Sequence, residues 1–179
     1  MYYHSPIYPY QYYAHTAIYN PGDRLRKGQR NYRVRDHGAQ PYVVNIDEAT
    51  KSNHTYRTAL WTGTHLQVTL MSINVGDDIG LEIHPATDQF LRIEQGQGVV
   101  QMGDQVNYLH YVQNVHQDDA IMIPAGKWHN VTNTGNVPLK LYSIYAPPHH
   151  PHGTVQQTKA IAMEQEENHR YLYYQGGVI

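Results

Sequence analysis

Between His65 and Ala146 the apolar and polar positions fall into short runs in which residues two apart share character, the period of an extended chain. The runs cover residues 66–75, 80–84, 90–94, 98–102, 108–115, 119–123, 128–133 and 139–146. Turn-forming residues separate them, at Gly76-Asp-Asp, Gly96-Gln-Gly98, Met102-Gly-Asp, Gln117-Asp-Asp, Pro124-Ala-Gly126 and Thr134-Gly-Asn. Many short strands at close spacing predict an all-β domain, a sandwich or a barrel. Upstream, residues 41–46 read as a short strand, Asp47 to Ser52 as a brief helix capped by Asn45 or Asp47, and Arg57 to Gly63 as the lead into the barrel, with Trp61 assigned to the core. Downstream, residues 158–170 have helical character, with Thr158 as the cap, Ala160, Ile161 and Met163 as the apolar contacts, and Glu164, Glu166 and Glu167 facing water.

Two of these runs carry side chains that bind metals. Glu82 and His84 are two apart, so on a strand they point to one face while Leu81 and Ile83 point to the other. Gln89, Leu91 and Ile93 share a face of the next run, and His129 follows the Pro124-Ala-Gly126 turn.

These residues carry a resemblance to the cupins, whose first motif reads G-x5-H-x-H-x(3,4)-E-x6-G and whose second reads G-x5-P-x-G-x2-H-x3-N. The chain has Gly76-x5-Glu82-x-His84-x4-Gln89-x6-Gly96 and then Asp118-x5-Pro124-x-Gly126-x2-His129-x3-Asn133. Spacing agrees at every step, while Glu82 replaces the first His, Gln89 replaces the Glu and Asp118 replaces a Gly. The resemblance spans roughly residues 66 to 147 and implies a double-stranded β-helix, a jelly-roll barrel, with a divalent metal held by Glu82, His84, Gln89 and His129.

The ligand set keeps the charge of the family's set, one carboxylate among neutral groups, but moves it from the position of Gln89 to that of Glu82. Two imidazoles and one carboxylate suit Fe(II), with Mn, Ni and Zn as alternatives. The competing reading is a barrel without metal, in which Glu82 and Gln89 hydrogen-bond an organic ligand. Strand parity and closeness to His129 put Leu91, Gln101, Ile121 and Trp128 in the lining of a small-molecule pocket. If the chain is an enzyme, the resemblance implies isomerase- or epimerase-type chemistry on a sugar-like substrate, or dioxygenase-type chemistry. It is similar to the small cupins grouped as mannose-6-phosphate isomerase-like, a label that follows fold more than activity.

Composition narrows the picture. At 179 residues the chain is long enough for one well-buried core, and a net charge of -2 gives no pull towards nucleic acid. The absence of cysteine removes disulfides and thiolate chemistry. No apolar run approaches a membrane span and the N-terminus lacks a signal-like apolar core, which predicts cytoplasmic synthesis and no membrane partner. The chain divides into a Tyr-rich and basic extended arm at 1–40, a single cupin domain at 41–157, and a helix with a Tyr-rich tail at 158–179. The arm's tyrosines, with Tyr171, Tyr173 and Tyr174 at the other end, favour self-association as a homodimer or larger assembly. Arg24, Arg26, Lys27, Arg30, Arg33 and Arg35 read as a solvated edge. The alternative function is therefore structural, an assembly protein similar to bacterial spore-coat-associated proteins and located with the spore. His149, His150 and His152 lie in a loop whose prolines 147, 148 and 151 restrict convergence, so they are left out of the metal site.

Overall fold

Alternation at period two builds two antiparallel sheets whose apolar faces meet. The computed structural model describes residues 34–175, and side chains as far as residue 167. In chain order the elements are α1 (Ile46–Ser52), β1 (Arg57–Thr62), β2 (Gln67–Ile73), β3 (Asp88–Gln95), β4 (Gln97–Gly103), β5 (Tyr111–His116), β6 (Ala120–Ile123), β7 (Trp128–Asn133), β8 (Leu139–Ala146), β9 (Val155–Gln156) and α2 (Lys159–Gln175). One sheet has the order β6-β3-β8-β2-β1-β9 and the other β5-β4-β7. The expected all-β jelly roll is the fold observed. The Tyr-rich arm and most of the basic stretch lie outside the described residues, as do the side chains of Tyr171, Tyr173 and Tyr174.

The interior between the sheets is apolar in one part and polar in another. Met71, Ile73, Leu91, Ile93, Ile121, Ile123, Leu139 and Leu141 of the larger sheet pack with Val100, Val115 and Val131 of the smaller one. Each such side chain contributes roughly 1.5–3 kcal/mol on full burial, an upper figure because the unfolded chain already buries part of it. A second, smaller cluster lies on the outer face of the large sheet, where Ala49 of α1 packs on Leu60 and Leu70. The Asn45 side chain accepts from the Glu48 amide at 3.2 Å and caps α1, as expected.

Four sequence expectations change. Residues 41–45 form no strand: Asn45 is taken up by the cap, Ile46 opens the helix, and Val43 is 97% exposed. Residues 80–84 form no regular strand either, for a reason given with the site below. The two-residue β9, which pairs with Arg57 and Thr58, is too short to show a period. Finally, α2 starts under the Thr158 cap, whose hydroxyl accepts from the Ile161 amide at 3.3 Å, but its buried contact is Ala162, while Ala160 and Ile161 face outward. Among the described residues no helix is long and apolar enough to cross a membrane.

Asp36 stitches the segment before α1 to the sheet. Its carboxylate accepts from the Thr62 hydroxyl at 2.6 Å and from the amides of Gly38 and Gly153 at 2.8 and 2.9 Å. Burial pushes its pKa up, yet these bonds and the nearby His152 more than offset this and hold it below the usual carboxylate range. A depressed folded-state pKa means stability that is present above the unfolded value, about 3.9, and is lost as pH falls through the folded one. Asp36→Asn is accordingly expected to lower the denaturation midpoint at pH 7, with a gap from the parent chain that closes as pH falls through the parent's lowered carboxylate pKa; a constant gap across a pH series of denaturant titrations would show that the charge contributes nothing.

Candidate metal centre

Glu82 lies on a segment that runs beside β7 without becoming a strand. Only two isolated bridges join them, Asp78 with Thr132 and Glu82 with His129. Between the bridges this segment has one residue more than β7, and the excess is absorbed where Gly80 takes φ +82°, a left-handed conformation natural to glycine. A Cβ at Gly80 would also lie 2.5 Å from the Met163 methyl of α2. Gly80→Ala is expected to cost about 1–2 kcal/mol through backbone strain and to weaken metal retention with it. Thermal unfolding with and without added metal checks this; unchanged retention would mean that the bulge does not set the ligand's position.

The convergence expected of Glu82 and His84 survives the missing strand. Amides of Glu82 and His129 exchange bonds with each other's carbonyls, both at 3.0 Å, and the His84 carbonyl accepts from the Gly126 amide at 2.9 Å. These bonds fasten the ligand segment to both the turn and the strand that carry His129. Glu82 Oε1 lies 3.2 Å from His84 Nε2 and 3.2 Å from His129 Nε2, and the two imidazoles meet edge to face at 5.3 Å. His129 is fully buried, His84 is 4% exposed and the Glu82 side chain 13%. Glu82, His84 and His129 each offer a ligand atom within 4.8 Å of the others, the one such cluster among the described residues.

Protonation suits a cation here. His129 Nδ1 lies 2.9 Å from the Lys127 carbonyl, which can only accept, so Nδ1 is the donor of that bond and Nε2 is the nitrogen turned to Glu82 and the centre. Burial pushes the Glu82 pKa up, but the contacts with His129 and His84 and the charge of Arg57 prevail and hold it well below the usual range. The donors are one carboxylate and two imidazoles, a set that fits a divalent metal.

The other predicted residues divide. Gln89 is 3% exposed on the inner face of β3, opposite Tyr145 of β8 and Ile123 of β6, and neither amide atom has a partner among the described residues. Leu91 and Ile121 pair across β3 and β6 and belong to the apolar core. Ile121 also lines a cleft of about 340 Å³ with Val100, Met102, Tyr111, Val115 and Met122. Gln101 and Trp128 are placed differently: β4 pairs Gln101 with Asn130, Gly103 with Trp128 and Met102 with His129. The pleat therefore turns Gln101 and Trp128 away from the face of His129, and half-buried Met102 takes the inward place. Adjacency to His129 in sequence is what misplaces Trp128, because neighbours on a strand point to opposite faces.

The histidine loop after β8 is the feature sequence reasoning left out. The His149 ring stands 4.0 Å from that of His84, with His150 at 4.9 Å from His149 and 5.0 Å from Tyr145. Buried Gln67 fastens the loop, accepting from the amides of His149 and His150 and donating to the His150 carbonyl at 2.8 Å. Burial lowers the pKa of both imidazoles, helped by the neighbouring His84 ring for His149 and by the charge of Arg57 for His150, so both are neutral at pH 7. The prolines shape a loop that closes on the site. Gln67 and Tyr145 occupy facing places on β2 and β8 at the loop's base, a pairing that only the strand register brings together.

The cupin domain family matches residues 69–145. The uncharacterized protein YrkC of Bacillus subtilis (strain 168) is 53% identical over 92% of this chain and 100% of its own length. An uncharacterized protein of Acanthamoeba polyphaga mimivirus is 42% identical over 65% of this chain and 71% of its own. A crystal structure from Bacillus halodurans, 69% identical, covers 73% of this chain and 99% of that one with a TM-score of 0.73. A double-stranded β-helix protein of Klebsiella pneumoniae, 17% identical with a TM-score of 0.51 over 65% of this chain and 98% of that one, is alike in fold alone.

Proposed function

This chain belongs to the cupin superfamily, and from that premise we propose that it holds one divalent cation through Glu82, His84 and His129, with Gln89 beside them as a weaker neutral oxygen donor. The observation that carries the reading is the His129 tautomer: a backbone carbonyl fixes the proton on Nδ1, so Nε2 is available where the Glu82 and His84 ligand atoms also converge. The two-His, one-carboxylate set favours Fe(II) over Mn, Ni or Zn.

A cation bound there would supply Lewis acidity to a carbonyl or hydroxyl oxygen of a small substrate, the isomerase- or epimerase-type route, and this is favoured over O2 chemistry by the hydrogen-bonding groups around it. Glu82 keeps its negative charge under the field of Arg57 and balances part of the metal's charge. Tyr145, pushed up to about 12 by burial, keeps its proton and serves as a hydrogen-bond donor. Neutral His149 and His150 cover His84 and Tyr145 and limit the access of water. Titration of the metal-stripped chain with Mn(II), followed by electron paramagnetic resonance, is expected to show about one tight site per chain; a linear rise of the free-ion signal from the first addition would end this reading.

A further inference from the structure

Arg57 is a full positive charge inside the barrel. It is 0% exposed and stands on the same face of β1 as Ala59. Its Nη1 donates to Gln156 Oε1 at 2.9 Å and meets Glu166 Oε1 at 3.5 Å. Nη2 is 3.8 Å from Glu82 Oε2, within reach of an ion pair but too far for a hydrogen bond. Nε and Nη2 complete no hydrogen bond among the described residues. Those two nitrogens form the side edge of the guanidinium, with two parallel N–H groups at the spacing of a carboxylate's oxygens.

The surrounding wall has the same character. The hydroxyls of Thr69, Ser143 and Tyr145 approach one another, yet none completes a hydrogen bond among the described residues, and the Gln89 amide is likewise unpaired. Register places Thr69 opposite both Ala59 and Ser143, and Tyr145 opposite Gln89. These groups thus occupy neighbouring rungs across β2, β8 and β3, on the face that carries Arg57, and each residue is 0–3% exposed. Buried polar groups of native proteins have partners, so a row of them on one wall marks a place for a polar ligand. Each of the three hydroxyls can donate one hydrogen and the Gln89 amide two, beside the unpaired N–H groups of Arg57. Glu82 and Glu166 against Arg57 and a divalent cation leave one positive charge, which a single carboxylate would balance.

We propose that this barrel takes a small monocarboxylate with an oxygen on the adjacent carbon, its carboxylate on the Nε–Nη2 edge of Arg57 and its second oxygen turned to the Glu82, His84 and His129 centre. The inference rests on the metal reading above. Tyr145, Ser143 and Thr69 would hydrogen-bond the remaining oxygens, and Gln89 can donate to one or accept from a hydroxyl.

Glycolate and its uncharged analogue glycolamide separate the possibilities by calorimetric titration of the full-length, Mn(II)-loaded chain. Glycolate is expected to bind at least about tenfold more tightly than glycolamide. Arg57→Lys, which keeps the charge but loses the two-pronged edge, should weaken glycolate by about tenfold while its Mn(II) content stays unchanged. Tyr145→Phe and Ser143→Ala, which leave both the charge network and the metal ligands intact, should each weaken glycolate severalfold and carry the test should Arg57→Lys fail to fold. Equal binding of the two probes, or glycolate binding by folded variants as tight as the parent's, overturns the inference. A chain that takes up no Mn(II) defeats the metal reading separately; the anion site then stands if that chain still prefers glycolate to glycolamide in an Arg57-dependent way, and falls if it does not.

Discussion

His129→Ala, alone or with His84→Ala, is expected to lose metal altogether. The parent chain, purified from cells grown with mixed transition metals, should carry about one equivalent by elemental analysis, and either variant less than about a tenth of that. His129 supplies a fully buried ring whose Nε2 is 3.2 Å from the Glu82 carboxylate and whose proton is fixed by Lys127. β7 holds it in place, with Met102 and Glu82 in the paired positions beside it. A linked effect follows in stability. At free metal about one hundred times above Kd, binding stabilises the native state by about 2.7 kcal/mol. For a chain of this size that is a rise in Tm of roughly 5–10 °C, present in the parent and absent in the variants. Equal metal content in parent and variants would sink the assignment of these ligands.

Arg57→Met should be the most disruptive single change to the metal-free chain. Arg57 is completely buried, with Glu82, Gln156 and Glu166 as its polar neighbours. Removing one partner of a buried ion pair strands the other, at a cost of about 3–5 kcal/mol. Glu82 loses the cation that helps to hold its pKa down, so burial raises it towards the neutral form. Metal reverses part of this: a divalent ion on Glu82 meets the stranded charge, and removing a neighbouring positive charge favours metal binding. The loss measured by denaturant titration is therefore expected to shrink by half or more when metal is saturating, and Mn(II) affinity to rise. If the loss is the same with and without metal, Arg57 supports the fold by packing alone and has no electrostatic hold on Glu82.

How far the sequence reaches can be judged residue by residue. Period-two patterning located β2 to β4 and β6 to β8 because each has one face in the core, and only such a face writes alternation into the sequence, whereas β5 buries Val115 alone. The motif spacing brought Glu82, His84 and His129 together for a different reason. Spacing fixes which residues face each other across paired backbones, and a bulge at Gly80 changes the path between them without changing that end point. What sequence could not supply is the third dimension. Arg57 reads as an ordinary strand-end arginine, and only the approach of β9 and α2 reveals that it is buried. His149 reads as part of a proline-rich loop, and its place over His84 depends on Gln67, 82 positions away in sequence. Gln101 and Trp128 show the reverse error, a proximity along the chain that the pleat undoes.

Helix α2 bears on the ligand segment at several points. Lys159 pairs with Asp77 and Asp78 at 2.8 and 2.6 Å, Met163 rests against Gly80, and Ala162 is buried in the core cluster that includes Ile79. The order of synthesis gives this a consequence. Residues 82, 84 and 129 leave the ribosome well before residue 159, so a nascent chain can pair all its long strands while the segment bearing Glu82 still lacks the brace that holds it. The brace of the centre thus comes from the helix that follows every ligand in the chain, and a chain truncated after β9 is expected to present the ligands without fixing them.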